Sequence, residues 1–136
     1  IGMADENIFA GGSFAKNKNN ELVLQLPVCE EVSATVDFEK PAEFHPENTE
    51  ESVYKVTTFA LREYCENTGF KKVILGLSGG IDSALTAALA ADALGRENVL
   101  GVLMPSMFSS EGSVTDSIAL AQNLGIKTIK HSITPL

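Results

Sequence analysis

Residues 73–83 read Val-Ile-Leu-Gly-Leu-Ser-Gly-Gly-Ile-Asp-Ser, and the alanine-rich run SALTAALAADAL over 83–94 follows at once. The apolar stretch Val73 to Leu77 has the length and composition of a buried strand, and residues 83–94 carry strong helix formers up to a stop at Gly95. Between them lies a loop of Ser78, Gly79, Gly80, Ile81 and Asp82. Adjacent glycines let a backbone approach a ligand closely. The N–H groups of the first helical turn lack intrahelical acceptors, and the helix dipole favours negative charge there. With Ser78 and Ser83 adding hydroxyl donors, the segment reads as a cradle for phosphate.

The loop also lacks certain things. A GxxxxGK[ST] loop requires a lysine at the phosphates, and none occurs between Lys72 and Lys127. Gly76, Gly79 and Gly80 do not have the spacing of a GxGxxG dinucleotide loop. Asp82 instead puts a carboxylate beside the phosphate position. That placement is repulsive unless a divalent cation lies between them, and Mg2+, which binds one or two carboxylates plus phosphate oxygens, suits the role. The plainer alternative is that Asp82 is a first-turn residue favoured by the helix dipole.

Working outward, the pattern alternates: strand 73–77, helix 83–94, strand 99–104, helix 113–124, strand 127–133, with Gly95 and Gly125 closing the helices. Such alternation implies right-handed crossovers and an α/β fold, a doubly wound parallel sheet covered on both faces, with ligands beyond the carboxyl ends of the strands. The loop Pro105 to Gly112 should then share a crevice with Ser78 to Asp82. Leu103 and Met104 can offer apolar surface to an adenine ring there, and Ser109 and Ser110 can reach phosphates. Ser113 is expected to cap the second helix.

The front of the chain is different. Short strands are expected at Asn7 to Phe9, Ser13 to Lys16, Glu21 to Leu26 and Glu31 to Phe38, with a polar hairpin turn at Asn17 to Asn20. A proline-containing linker follows over 39–48, and then a helix capped by Asn48 or Thr49. Its apolar stripe is read as Val53, Val56, Ala60 and Tyr64, running up to Gly69. The formal charge of −8 comes from 18 acidic against 10 basic residues, and eight of the acids lie between Glu30 and Glu51 while 52–136 balances at seven of each sign. The acidity is therefore local and reads as a solvated connecting segment. No basic patch points to nucleic acid, and no stretch approaches the roughly 20 apolar residues of a membrane span. Cys29 and Cys65 have no metal or disulfide spacing and are expected to be reduced and buried, Cys29 in a strand and Cys65 on a helix, which fits a cytoplasmic protein. His45 and His131 stand alone and are expected to be structural. Both ends of the chain read as cut, as in a piece of a longer polypeptide.

The six residues Ser78-Gly-Gly-Ile-Asp-Ser83 resemble the SGGxDS loop of the ATP pyrophosphatases, which cleave ATP between its α and β phosphates and form adenylates. Further forward, Asp5-Glu6, Phe9, Gly11-Gly12-Ser13-Phe14 and the acidic segment after them resemble the C-terminal strands of nitrilase-fold glutamine amidotransferase domains. In that family the Cys-Glu-Lys triad lies upstream of this region, so no catalytic role passes to Cys29, Glu30 or Glu31. The stretch GVLMPSMFSSEGSVTDSIALAQNLGI, joined to both, resembles the glutamine-dependent NAD synthetases.

That resemblance implies a division of the chain. Residues 1–38 would be terminal strands of a nitrilase-like glutaminase domain, 39–48 an acidic linker, and 49–136 the start of a three-layer ATP-binding domain of the adenine nucleotide alpha hydrolase type. It implies ATP bound through Gly76, Leu77, Ser78, Gly79, Gly80, Ile81, Asp82 and Ser83, with Leu103, Met104, Ser109 and Ser110 opposite and Mg2+ on Asp82. The implied reaction is amidation of deamido-NAD by ammonia drawn from glutamine, in a homo-oligomer, with no covalent catalytic residue in these 136 positions and no activity expected of them alone. Another SGGxDS adenylating enzyme and a non-catalytic ATP-binding module remain as alternatives. AMP plus pyrophosphate as products would separate the ligase from the module.

Overall fold

The computed structural model describes residues 1–5, 7–45 and 48–133. Glu6 of the front pattern, Pro46 and Glu47 of the linker, and Thr134, Pro135 and Leu136 lie outside the described residues. The chain divides into two compact units, Ile1–Glu63 and Tyr64–Leu136.

In the first unit, β1 (Gly2–Ala4) pairs antiparallel with β2 (Asn7–Phe9), and β3 (Phe14–Lys16) with β4 (Leu22–Gln25). The hairpin turn sits where the polar run placed it. Asn17 Oδ1 accepts from the N–H groups of Asn19 and Glu21 at 2.9 and 3.0 Å, and Asn20 adopts φ 67, a conformation asparagine tolerates. β1 was not legible, because three residues with a glycine carry no alternation. The expected strand Glu31 to Phe38 does not form. Its period-2 pattern is real, but a strand needs a neighbour to pair with, and none pairs with it among the described residues. Cys29 is likewise not in a strand. It occupies a half-buried bend at φ 58, with its N–H donating to the Ala10 carbonyl at 2.7 Å.

Helix α1 (Thr49–Thr68) begins as expected, with Asn48 Oδ1 accepting from the Glu51 N–H at 3.0 Å. Its buried stripe is rotated from the expected one. Phe59 is buried with Ser52 and Val56 half-buried beside it, while Val53 and Tyr64 are 61% and 48% exposed. Those two lie roughly a third of a turn away from the Ser52–Val56–Phe59 row. The larger apolar payload of Phe59 decides the phase. Cys65, also on this helix, is buried and free, as expected.

The second unit holds β5 (Val73–Gly76), α2 (Ile81–Leu94), a 3-10 turn at Arg96–Asn98, β6 (Val99–Leu103), α3 (Glu111–Leu124) and β7 (Lys127–Lys130). The strands form a parallel sheet in the order β5-β6-β7, with Val73 opposite Val99 and Leu100 opposite Lys127. Both crossovers step the same way, so right-handed connections put α2 and α3 on one face. Beneath them Leu77, Val99 and Leu103 are buried against Ala87, Ala90, Ala93 and Ala121, small residues that let helix and sheet backbones come close. Cover on both faces was expected. Among the described residues the other face is open, with Ile74 72% and Ile129 51% exposed. The strand Val73 to Leu77 is accordingly buried on one side only.

Candidate phosphate-binding site

β5 ends at Gly76 and the chain turns through Leu77, whose N–H still donates to the Val102 carbonyl at 2.9 Å. The serines and glycines of the following loop each make an identifiable contact or leave one open, while Ile81 is 79% exposed. The Ser78 and Ser83 hydroxyls lie 3.1 Å apart. Ser78 Oγ accepts from the Gly80 N–H at 3.3 Å, and Ser83 Oγ donates to the Gly80 carbonyl at 2.9 Å. The two serines thus brace the loop from within, in addition to presenting hydroxyls.

The two glycines differ. Gly79 has φ 82, and a Cβ built on it would lie 2.6 Å from the Ser113 carbonyl oxygen and 2.7 Å from the Ser113 Cα. Its missing side chain is needed for packing against α3. Gly80 has φ −88, and a Cβ there would have Ser78 Oγ at 3.5 Å as its nearest neighbour, an ordinary contact, so local sterics do not exclude a side chain. Gly80 is nevertheless the N-cap of α2, a position where serine, threonine, asparagine or aspartate would supply an acceptor, and no side chain caps this helix. The first-turn N–H groups are left facing outward at the positive end of the helix dipole. Asp82 sits exposed in that turn.

The second loop closes the crevice as its position after β6 required. Leu77, Ser78, Leu103, Met104, Pro105, Ser109, Ser113 and Val114 line one cleft of 140 Å3. That is smaller than the ~300–1,000 Å3 of a complete small-molecule pocket. Leu103 is 2% exposed and reaches the cleft from the helix-covered side, whereas Met104 is half exposed, with its methyl over Gly76. Ser106 and Ser109 tie a turn, the Ser106 N–H donating to Ser109 Oγ at 2.9 Å, and that turn presents Phe108 at 90% exposure. The expected cap of α3 was off by three residues. Ser110, extended at φ −70 and ψ 147, accepts the Ser113 N–H on its Oγ at 3.1 Å, and Ser113 lies inside the helix. Both serines suit the role by type, and the backbone conformation selects Ser110. One residue in this region passed unnoticed in the sequence: Ser117, buried behind Ser113.

Among the described residues no three His, Cys, Asp or Glu gather as a metal group. A Mg2+ ion on Asp82 would draw its remaining ligands from phosphate oxygens and water, which is how this ion is ordinarily held. His45 and His131 are exposed and neither lines the cleft, although the His131 N–H donates to the carbonyl of the lining residue Leu103 at 2.9 Å. A roomier cleft of 390 Å3 lies in the first unit, but Glu30 and Glu31 line it, and phosphate would meet like charge there.

The profile of one family, described as NAD synthase, matches residues 53–136. The chain belongs to the NAD synthase family. A glutamine-dependent NAD(+) synthetase of Synechocystis is 42% identical, aligning with 100% of this chain and 26% of its own length. An NH(3)-dependent NAD(+) synthetase of Methanocaldococcus jannaschii is 44% identical over 66% of this chain. Among solved structures, that of glutamine-dependent NAD+ synthetase from Acinetobacter baumannii in complex with ADP superposes with a TM-score of 0.91 at 40% identity, covering 99% of this chain and 27% of that one. The likeness takes in the front hairpins as well as the parallel sheet, and the α/β fold class read from the sequence holds. The chain spans about a quarter of the length of the two glutamine-dependent relatives.

Proposed function

We propose that residues 76–83 bind ATP in an enzyme that amidates deamido-NAD to NAD, with ammonia drawn from glutamine. The observation that carries this reading is the N-terminus of α2: a Gly80 cap that local sterics do not demand, with N–H groups no side chain takes. The first-turn N–H groups and the Ser78 and Ser83 hydroxyls receive the β and γ phosphates. Met104, Ser109 and Ser110 face them, with Leu103 beneath. The α phosphorus is left open to the nicotinate carboxylate of deamido-NAD. A carboxylate oxygen forms the new bond to phosphorus as the α–β bridging bond breaks, and pyrophosphate leaves with the electron pair. Ammonia then attacks the acyl carbon of the adenylate, AMP departs, and a proton is lost to give the amide. Mg2+ held by Asp82 would offset the charge of the departing pyrophosphate. The protein's part is positioning and electrostatics, and no covalent intermediate with a side chain is required.

Residues 1–38 are the end of a glutaminase domain in this reading, 39–48 a linker and 49–136 the front of the ATP-binding domain. The glutamine-dependent relatives support this, since they align with the whole chain whereas the ammonia-dependent one covers 66% of it. A homo-oligomer belongs to the same reading. Cys29 and Cys65, which form no disulfide, fit a reducing, cytoplasmic setting, and no helix among the described residues is long and apolar enough to cross a membrane.

The test supplies ATP, Mg2+, deamido-NAD and ammonia to the full-length polypeptide that carries these residues. AMP, pyrophosphate and NAD should appear in equal amounts. ADP and phosphate, or no cleavage, would defeat the proposal.

A further inference from the structure

Among the described residues one polar side chain is almost wholly buried: Ser117, 1% exposed, in the second turn of α3. Its hydroxyl donates to the Ser113 carbonyl at 2.8 Å. A serine or threonine bonding the carbonyl four residues back is ordinary helix behaviour. Thr57, Thr86 and Thr115 make the same bond to Val53, Asp82 and Glu111, all at exposed positions. Ser117 differs in what its acceptor touches. The Ser113 carbonyl oxygen is the atom nearest the missing side chain of Gly79, 2.6 Å from where a Cβ would be, so the Gly79 Cα–H points at it in a close backbone contact. Ser113 is held from its other side as well, its N–H on Ser110 Oγ at 3.1 Å and its Oγ 2.8 Å from that hydroxyl.

We infer that Ser117 is a positioning residue for the phosphate loop: by fixing the Ser113 carbonyl it sets the surface on which Gly79 rests, and so the spacing between the 78–83 loop and the 105–113 loop. The chain of contact is short. It runs from Ser117 Oγ to Ser113 O to the Gly79 backbone, and Ser78 and Gly80 adjoin Gly79. Ser117 is buried, so water does not compete for its hydroxyl, which stays on the Ser113 carbonyl beside the helix N–H. Transfer between two phosphoryl-facing walls is sensitive to such spacing, since misplacement by about 1 Å can cost on the order of a hundredfold in rate. The catalytic consequence rests on the ATP reading above, whereas the mechanical coupling does not.

The experiment uses two readouts on the full-length protein with Ser117→Ala, which removes the hydroxyl, and Ser117→Cys, which fills its place with a somewhat larger and weaker donor. In the ligand-free protein, amide hydrogen exchange at residues 78–83 should rise about fivefold in Ser117→Ala and less in Ser117→Cys, while β6 stays protected. In steady-state assays kcat for pyrophosphate release should fall about tenfold in Ser117→Ala with KM for ATP within about twofold, and Ser117→Cys should recover part of it. Unchanged loop exchange in folded Ser117→Ala overturns the inference whatever the enzyme's substrate. Faster exchange spread equally over β6 overturns it too, as general loosening. Faster loop exchange in a protein whose wild type cleaves no ATP would sustain the coupling and sink the ATP reading instead.

Discussion

Helices α2 and α3 occupy equivalent places, each following a parallel strand and opening at the same end of the sheet, yet their N-termini are finished differently. At α3 the protein completes its own helix, with Ser110 Oγ accepting the Ser113 N–H. At α2 the cap is Gly80, which offers nothing, although Gly80 has room for a side chain. A cap from serine, threonine, asparagine or aspartate is worth about 1 kcal/mol relative to alanine and a few tenths relative to glycine. Forgoing it is a small stability loss in exchange for donors that remain available to an anion. Of two neighbouring turns, one is completed by its own side chain and the other, in the proposed reading, is left for phosphate.

The sharpest way to break that contrast is Asp82→Asn, which keeps shape and removes the charge beside the α2 N-terminus. If Asp82 holds a metal on the phosphates, turnover in the full-length enzyme should fall on the order of a hundredfold or more, with the fold intact and Mg2+ dependence weakened. Near-wild-type kcat would return Asp82 to the role of a first-turn residue that merely suits the dipole.

Gly79→Ala comes next and acts on the fold. The substitution requires both a left-handed backbone for alanine and a shift of the Ser113 backbone, which is not a flexible side chain that can swing away. Together these should destabilise by about 2–4 kcal/mol, read as a lower midpoint in urea unfolding with loss of soluble yield. A variant as stable as wild type would show that the close packing of Gly79 on Ser113 is dispensable.

These two glycines also show where sequence reading stops. The pair marks a loop that brings backbone close to something, and the turn between β5 and α2 and the strand-helix alternation were legible because glycine chemistry and hydrophobic periodicity are local. Which glycine faces α3 and which faces outward depends on a contact more than 30 residues away. For the same reason Glu31 to Phe38 alternated like a strand without a neighbour to pair with, and the stripe on α1 was assigned through Val53 and Tyr64 when Phe59 sets the phase. Of Ser110 and Ser113 either could cap by type, and φ and ψ decide. Ser117 carries no sequence mark at all, since its bond is local but its burial is not. That both crossovers among the described residues run over one face follows from strand order, which alternation does not disclose.

Gly80→Ser sharpens the comparison by making α2 resemble α3. The serine should cap the first turn, raising stability by a few tenths of a kcal/mol, and its side chain should occupy the space a phosphate needs. ATP affinity measured by calorimetry should fall about tenfold, a cost near 1.4 kcal/mol. The opposite signs are the point: a gain in stability with unchanged ATP affinity would mean that the uncapped turn is not where the phosphates sit.

The smallest expected effect belongs to Ser110→Ala, and it tests the other half of the contrast. Removing the Ser110 hydroxyl takes the acceptor from the Ser113 N–H and the partner from Ser113 Oγ. The loss should be about 1 kcal/mol, the usual value of such a cap. It should be confined at first to the opening turn of α3, so amide exchange over residues 111–115 should quicken about fivefold. Because that turn carries the carbonyl against Gly79, part of the quickening should reach residues 78–80, whereas the end of α3 at Gly125 should not change. If exchange over 111–115 stays at the wild-type rate, the Ser110 cap has no energetic content, and the difference between a finished and an unfinished helix start loses the meaning given to it.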